Sequence, residues 1–203
     1  MDSAASRIAG RIGAMPAGEA FTAGDFLDLA SQSSANTELH RLERRGVVER
    51  ALRGVYAKPR RSELLGIAAP PAPDAVARAI ARANRWAIAP AGDTALNLLG
   101  LDEQVPARVE YVSSGPYRTY AYGNGEIRFR HRASRDLAEC SPTTMLVTQA
   151  LRALGREHVD ADIMRRVSAR LTDDEVRALY DETRNSTAWI FGFAKVLREG
   201  RGI

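Results

Sequence analysis

The chain has 203 residues, of which 45% are hydrophobic and 27% are charged, and its formal net charge is +4. This composition is ordinary for a water-soluble globular protein and leaves room for one ordinary domain or two small ones. No apolar run approaches the roughly 20 residues needed to cross a bilayer, and the N-terminus lacks a basic stretch followed by an apolar core. The sequence therefore predicts a cytoplasmic protein that does not span a membrane.

Two helical patterns open the chain. The first runs from Ser3 to about Ala14 and places Ile8 and Ile12 on one face. The second, Thr22–Ala30, begins with a plausible N-cap and carries Phe26 and Leu29 at helical spacing. Both are predicted to bury their apolar residues in one small core.

A third helix is predicted to start at Ser33 or Ser34 and to end at Gly46. Ala35, Leu39 and Leu42 recur at i, i+4 and i+7, so they share one face, and the opposite face has no large apolar side chain. Glycine ends helices because it enters the left-handed conformation without penalty. An exposed polar face of this kind is typical of a helix that reads the major groove of DNA.

A β-hairpin is predicted directly after this helix. Val47–Arg50 and Gly54–Ala57 read as strands around a short turn, residues 51–54, whose glycine supplies a positive φ. Helices followed by such a ribbon indicate a winged helix-turn-helix, in which the ribbon is the wing. We place this domain at residues 1–61.

Charge supports DNA binding by this domain. Residues 36–61 hold eight Lys or Arg against three Glu, a local net charge of +5, whereas the whole chain carries +4. Arginine can hold guanine O6 and N7 together, Asn can do the same for adenine, and Ser or Thr reaches phosphate or base. The predicted DNA-binding residues are Ser33, Ser34, Asn36, Thr37, His40, Arg41, Arg44, Arg45, Arg50, Arg53, Lys58 and Arg60.

Winged helices also serve as docking modules for other proteins, so the fold alone does not fix the function. The alternative is a protein-interaction module that does not bind DNA and whose basic surface docks an acidic partner. Preference for one operator sequence would separate the two hypotheses.

Residues 62–73 are predicted to be a linker, because Gly66–Pro73 is rich in proline and small residues and has no usable periodicity. We divide the chain there. Residues 74–203 then form a second domain with a helix from Asp74, a short strand near Trp86, and a helix that ends at Gly100. The fold class is α+β.

The middle of the second domain is predicted to be a small antiparallel sheet. Segments 108–113, 117–122 and 126–132 alternate between apolar and polar residues, and Gly123-Asn-Gly125 is a hairpin signal. The last segment places Ile127, Phe129 and His131 on one face. Its arginines lie on the other face, and they are read either as solvated side chains or as a second surface for nucleic acid or an acidic partner. The residues of this secondary basic surface are Arg118, Arg128, Arg130 and Arg132.

Helices are predicted to complete the second domain. Ser141-Pro142 begins one, Thr172-Asp-Asp-Glu175 is a capping box for another, and Trp189, Phe193 and Leu197 seat the last on the core. These aromatic residues indicate packing more than contact with a cofactor.

Two segments of the second domain resemble a known family. Residues 91–101, Ala-Gly-Asp-Thr-Ala-Leu-Asn-Leu-Leu-Gly-Leu, and 104–119, which begin Gln-Val-Pro-Ala-Arg-Val-Glu-Tyr, look like the AbiEi-type antitoxins of bacterial type IV toxin-antitoxin and abortive-infection systems. The resemblance implies a repressor of its own operon that acts on inverted repeats, with the DNA-reading helix at Ser33–Arg45 and the wing at Val47–Lys58. It also implies a functional partner, a toxin of nucleotidyltransferase fold that the protein need not contact directly, and a homodimer on DNA. It places no working residue in the second domain, to which this family assigns neutralisation of the toxin.

No enzyme signature accompanies these features. The chain lacks a phosphate-binding Gly-x-x-x-x-Gly-Lys-Ser/Thr loop, a Gly-x-Gly-x-x-Gly motif and a His-Glu-x-x-His or paired Cys-x-x-Cys motif. The single cysteine, Cys140, has no Cys or His neighbour at metal-ligand spacing. We therefore predict no catalytic residues, no metal ligands and no cofactor.

Overall fold

The computed structural model describes residues 3–61, 68–104, 106, 108–133, 137 and 140–203. Contacts divide the chain into two compact units: Met1–Trp86 with Tyr122–Asn124, and Ala87–Ala121 with Gly125–Ile203. Helices and small sheets occur in both units, which confirms the predicted α+β class. In the described part of the chain, no helix is both long enough and apolar enough to cross a membrane.

The first unit contains a three-stranded sheet and a two-stranded ribbon. Strand β3 lies between β1 and β2 and is antiparallel to both, and β4 pairs antiparallel with β5. In chain order its elements are α1 (Ala4–Ala14), β1 (Ala20–Phe21), a 3-10 turn (Ala23–Phe26), α2 (Gln32–Arg44), β2 (Glu49–Leu52), β3 (Val55–Ala57), β4 (Arg60–Arg61), β5 (Ala68–Ala69) and α3 (Pro73–Asn84).

The core of the first unit is built by the apolar residues that the sequence periodicity selects. Ile8 and Ile12 of α1 pack with Leu39 and Leu42 of α2 and with Phe26, all at most 1% exposed. These five predictions are confirmed. Burial of large aliphatic and aromatic side chains supplies most of the favourable free energy of folding of such a unit.

The helix predicted over Thr22–Ala30 is shorter than expected. Only Ala23–Phe26 are helical, as one 3-10 turn. The carboxylate of Asp25 accepts a hydrogen bond of 2.7 Å from the Thr22 backbone N–H, and the Asp25 N–H bonds the Thr22 carbonyl at 3.2 Å. This local closure of the turn competes with a continued α-helix.

Helix α3 belongs to the first unit, so the contact division at Trp86 differs from the boundary that composition suggested at residue 74. Val76, Ala77 and Ile80 of α3 are buried, and the helix packs against β1 and β3. Arg82 donates a hydrogen bond of 2.7 Å to the Ala20 carbonyl. Of the predicted linker, residues 62–67 lie outside the described residues, and Ala68–Ala69 form β5.

The second unit combines a four-stranded sheet with helices. Its elements are β6 (Ile88–Ala91), α4 (Gly92–Leu98), β7 (Arg108–Ser113), β8 (Arg118–Tyr122), β9 (Gly125–His131), α5 (Pro142–Leu154), a 3-10 turn (Arg156–His158), α6 (Ala161–Ser168), α7 (Asp173–Glu182) and α8 (Ala188–Arg201). The last residue of β8, Tyr122, and the two turn residues after it, Gly123 and Asn124, are grouped with the first unit.

The prediction that this sheet is antiparallel is wrong in one pairing. The strand order is β6-β7-β9-β8, and β7 runs parallel to β9, with Glu110 opposite Arg128 and Val112 opposite Arg130. The chain passes from β7 to the outer edge, forms β8, and returns through the hairpin at Gly123 so that β9 fills the gap. Alternation and turn signals locate the strands, but they do not say which strand lies beside which.

Helix α5 joins the sheet to the helical core of the second unit. Its Met145 packs with Ala89, Ala91 and Val112 of the sheet, whereas its Leu151 is buried among α4, α7 and α8. The predicted caps are confirmed: the Ser141 hydroxyl accepts from the Thr144 N–H, and Thr172 and Glu175 form a capping box.

Candidate nucleic-acid interface

Helix α2 begins at Gln32, one or two residues before the predicted start at Ser33 or Ser34. Ser31 is its N-cap, and the Ser31 hydroxyl accepts a hydrogen bond of 3.2 Å from the Ser34 N–H. A cap at this position leaves the side chains of the first turns on the surface: Ser33, Ser34, Asn36 and Thr37 are all exposed. The helix therefore presents hydroxyl and amide groups at the end where its backbone N–H groups and its dipole favour anions.

These polar groups differ in what they already bind. Thr37 donates its hydroxyl proton to the Ser33 carbonyl at 3.0 Å, and the Ser34 hydroxyl accepts a bond of 3.0 Å from Ser31, so the Ser34 proton is left to donate elsewhere. The side chain of Asn36 makes no hydrogen bond within the part of the chain that the structure describes. Donors to phosphate or to base edges are thus present along this face.

Gly46 ends α2, as the sequence predicted. Gly46 has a φ of +70°, its N–H bonds the Glu43 carbonyl at 2.9 Å, and the Val47 N–H bonds the Leu42 carbonyl at 2.9 Å. This pair of bonds is a Schellman motif. Arg44 and Arg45, in the turn that it closes, are exposed, and among the described residues their guanidinium groups have no hydrogen-bond or salt-bridge partner.

The hairpin after α2 forms as predicted, but its first strand starts two residues later than expected and its second strand one residue later. Leu52 pairs with Val55, so Arg53 and Gly54 are the turn, and Gly54 has a φ of +79°. Arg53 is exposed and has no polar partner within the described ranges. Arg50 is also exposed, and its guanidinium carbon lies 5.9 Å from the centre of the Tyr56 ring, where cation–π attraction orients it.

Two predicted DNA contacts have another use in the structure. The Lys58 ammonium is half-buried and donates to the carbonyls of Gly13 and Met15, at 2.6 and 2.7 Å, so it caps the C-terminal end of α1. Arg60 is exposed, but its Nε donates to the Pro70 carbonyl at 2.9 Å. We therefore remove Lys58 from the candidate interface and regard Arg60 as a support for the ribbon.

Two further candidates on α2 are exposed but paired. His40 Nδ1 lies 3.1 Å from Glu43 Oε2, and Arg41 Nη1 lies 3.6 Å from Glu38 Oε2. His40 and Arg41 are themselves exposed, although Glu38 is buried, so both cations keep contact with water and can turn to a phosphate. The remaining candidates form what we call the α2–hairpin surface: Ser33, Ser34, Asn36, Thr37, His40, Arg41, Arg44, Arg45, Arg50 and Arg53.

The secondary basic surface divides in the structure. Arg128 lies 3.6 Å from Glu110 and 3.2 Å from Glu126, and Arg130 lies 3.6 Å from Glu110. Their charge is answered by carboxylates of the same sheet face, which favours the reading as ordinary surface. Arg118 is exposed on β8, and Arg132 is half-buried just beyond β9; neither has a polar side-chain partner among the described residues.

Sequence reasoning missed the cap at Ser31 and the structural use of Lys58. A serine placed three residues before Ser34 was the available signal for the cap. No local signal announces that Lys58 reaches α1, because Gly13 is 45 residues away in the chain. In the described ranges, no group of three or more His, Cys, Asp or Glu is placed to hold a metal ion.

These observations describe an α+β protein whose first unit exposes arginines and small polar side chains on one helix and the hairpin after it. The chain belongs to DUF6088, a family of unknown function, whose model matches residues 7–179. No curated protein matches it significantly. Among solved structures it is similar to the crystal structure of the RV2827C protein from Mycobacterium tuberculosis, with 16% identity and a TM-score of 0.46 over 98% of this chain and 77% of that one.

Proposed function

We propose that this protein is a DNA-binding transcriptional repressor that contacts operator DNA through a winged helix in its first unit. The observation that carries the proposal is a set of exposed arginines that have no acidic partner among the described residues. These are Arg44, Arg45 and Arg53, which follow one another from the end of α2 to the tip of the hairpin. Guanidinium groups that are not paired with carboxylates can bind the phosphates of a DNA backbone. The order α1, β1, 3-10 turn, α2 and hairpin, with β3 between β1 and β2, supports the winged-helix reading.

In this proposal the exposed face of α2 lies in the major groove along its length and the hairpin lies along the phosphates. Ser33, Asn36 and Arg44 approach base edges, and Arg53 approaches phosphate. Inverted-repeat operators are bound by symmetric dimers, so a homodimer on DNA is part of the proposal. The role as antitoxin of a type IV AbiE-like operon, opposing a toxin of nucleotidyltransferase fold, rests on the resemblance of residues 91–101 and 104–119 alone.

The decisive experiment compares binding to the promoter fragment of its own operon with binding to random DNA of equal length across a salt series. A specific regulator should prefer its promoter by on the order of a thousandfold. Equal and weak binding to both, collapsing as salt rises, would reject the repressor and leave the docking of an acidic partner as the function of this surface.

Two single variants then separate base reading from phosphate contact. Arg44→Ala should cost about 1–3 kcal/mol on the promoter and relax preference at one base pair. Arg53→Ala should weaken binding to all sequences alike and flatten the salt dependence by about one unit. Arg78→Ala is the matched control, since this exposed arginine of α3 lies in the same unit, pairs with Asp74 at 2.7 Å and is outside the α2–hairpin surface. An equal loss on promoter and random DNA for Arg44→Ala would remove that residue from the base contacts.

The antitoxin role has its own test. The proposal expects a toxin of nucleotidyltransferase fold in the same operon. Co-expression of this chain with that toxin should restore the growth that the toxin alone arrests, and Arg44→Ala should lose repression while keeping that rescue. A toxin that stays lethal in the presence of the unaltered chain would limit the function to transcription.

A further inference from the structure

A cleft of about 410 Å³ opens in the second unit, at the end of β9 and beside α5. Arg130, His131 and Arg132 reach it from the strand, and Gln149 and Arg152 reach it from the helix. None of the described residues that line it is an Asp or Glu. Its volume lies in the range of about 300–1,000 Å³ that is usual for sites of small ligands.

Gln149 is the polar group that this cleft leaves unsatisfied. The residue is only 5% exposed, and its amide nitrogen is buried without a hydrogen-bond partner among the described residues. Buried side-chain amides are almost always hydrogen-bonded, because burial without a partner costs the full desolvation of the group. An acceptor on a bound molecule would satisfy it.

The cations around Gln149 are arranged for an oxyanion. Among the described residues, Arg132 has no side-chain partner, whereas Arg130 is paired with Glu110 at 3.6 Å. His131 donates from Nδ1 to the Gly115 carbonyl at 2.9 Å, which fixes the ring and leaves Nε2 for another partner. Guanidinium groups bind phosphate oxygens in pairs, so several of them around one cleft favour a phosphate over a carboxylate of single charge.

An exposed aromatic ring completes the cleft. Tyr117 is 70% exposed, the most exposed of the large hydrophobic residues, and its ring centre lies 6.4 Å from that of His131. An isolated tyrosine beside arginines is the platform on which proteins stack a nucleobase. Gln149 offers both an amide donor and an acceptor of the kind that reads a base edge.

We propose that this cleft binds a nucleotide, with its phosphate held by Arg132 and Arg152 and its base stacked on Tyr117. The DNA duplex offers the same phosphate, but Gln149 is only 5% exposed, and a small ligand enters a cleft of about 410 Å³ more readily than a double-stranded backbone does. The inference concerns the second unit and is independent of the DNA contacts proposed for the first.

Isothermal titration calorimetry of the full chain tests the proposal with AMP, GMP, ATP and GTP, and separately with inorganic phosphate, adenosine and a random DNA duplex. At least one nucleotide should bind saturably with a Kd of about 100 μM or tighter, at least tenfold more tightly than phosphate or adenosine. No saturable binding of any of the four at 1 mM would overturn the proposal. So would phosphate binding as tightly as the nucleotides, since Tyr117 would then have no part.

Variants assign the binding to this cleft. Arg132→Ala and Gln149→Leu should each weaken nucleotide binding at least tenfold, and Tyr117→Ala should weaken it about tenfold while leaving phosphate binding unchanged. Tyr117 is so exposed that its replacement leaves packing intact, so a folding defect in Gln149→Leu would not end the test. Arg118→Ala is the matched control, because this exposed arginine of β8 does not line the cleft. The proposal would be contradicted if Tyr117→Ala and Arg132→Ala bound nucleotides as tightly as the unaltered chain does. It would also be contradicted if these variants lost duplex binding while the unaltered chain bound no nucleotide.

Discussion

The chain has two arginine-rich surfaces, and they differ in whether acidic side chains neutralise the positive charge. On the α2–hairpin surface, Arg44, Arg45 and Arg53 are exposed and have no acidic partner among the described residues. On the shared face of β7 and β9, Arg128 and Arg130 lie within 3.6 Å of Glu110. Arginine number is therefore a poor guide to an anion-binding surface, whereas the pairing of each guanidinium decides whether it is available.

The difference arises from the register of the strands. The parallel pairing of β7 with β9 sets Glu110 directly opposite Arg128, where side chains of opposite charge stabilise a sheet. In the hairpin of the first unit, Arg50 lies opposite Tyr56 and no carboxylate faces Arg53 across the turn. A carboxylate on the neighbouring strand occupies the guanidinium group and weakens its attraction for an external anion. An aromatic ring leaves the guanidinium group able to bind one.

The largest effect should come from removing the unpaired arginines together. Arg44→Ala, Arg45→Ala and Arg53→Ala combined should lower affinity for random DNA by about a hundredfold at low salt. The salt dependence should flatten by about two units, since Arg45 and Arg53 each contribute about 0.9 through a phosphate contact, whereas Arg44 approaches a base edge. Arg128→Ala with Arg130→Ala serves as the comparison and should change the slope by less than half a unit. Fluorescence anisotropy across a salt series measures both. A larger loss from the β9 pair than from the triple variant would reverse the assignment of the two surfaces.

A second substitution tests whether Lys58 has a structural role, in contrast to Arg53, which is proposed to contact DNA. Lys58→Met should lower the free energy of unfolding by about 1.5–3 kcal/mol, because two hydrogen bonds from a charged donor to carbonyls at the end of α1 are lost. Its effect on the salt dependence of DNA binding should be negligible. Urea unfolding measures the first quantity and anisotropy the second. A flatter salt slope with unchanged stability would return Lys58 to the DNA contacts.

How much of this arrangement was predictable depends on whether its cause is local. The caps at Gly46, Ser141 and Thr172 were predictable, because a helix end is fixed by residues within four positions of it. So were the apolar faces, such as Leu39 with Leu42, since the periodicity of a helix is written in the sequence. The availability of Arg53 and the engagement of Lys58 and Arg128 were not predictable, because they depend on Gly13, Glu110 and the strand order, which only the tertiary fold brings together.

A smaller effect is expected from the glycine that positions Arg44 and Arg45. Gly46→Ala should cost about 1 kcal/mol, because alanine is strained at a φ of +70° although its methyl group would meet nothing within 4 Å. Gly10→Ala in α1 is the matched control: Gly10 is exposed, has helical φ and equally open surroundings, so the change should stabilise by up to about 1 kcal/mol. Both are measured by urea unfolding. Equal effects at the two positions would show that the left-handed conformation of Gly46 is not what terminates α2.

The smallest effects concern acidity, and they should have opposite signs in the two units. Burial raises the pKa of Glu49 in β2, and one of its carboxylate oxygens lacks a hydrogen-bond partner among the described residues. The hydrogen bonds that Glu175 accepts from the Thr172 backbone and from the Thr143 hydroxyl lower the pKa of Glu175 in α7. A raised carboxyl pKa gives stability that is complete below the unfolded value, near 4.5, and is lost as pH rises through the folded value. A lowered one gives stability above the unfolded value that is lost as pH falls.

Glutamine at either position removes the titration while keeping the shape, so the pH dependence of its effect isolates the charge. Between pH 3 and pH 7, Glu49→Gln should become progressively more stabilising relative to the unaltered chain, and Glu175→Gln progressively more destabilising. Thermal unfolding of the two variants across this range measures the two slopes. Slopes of the same sign would mean that the carboxylate of Glu49 is better solvated than its surroundings indicate, and the hairpin that carries Arg50 and Arg53 would then be open to water on both faces.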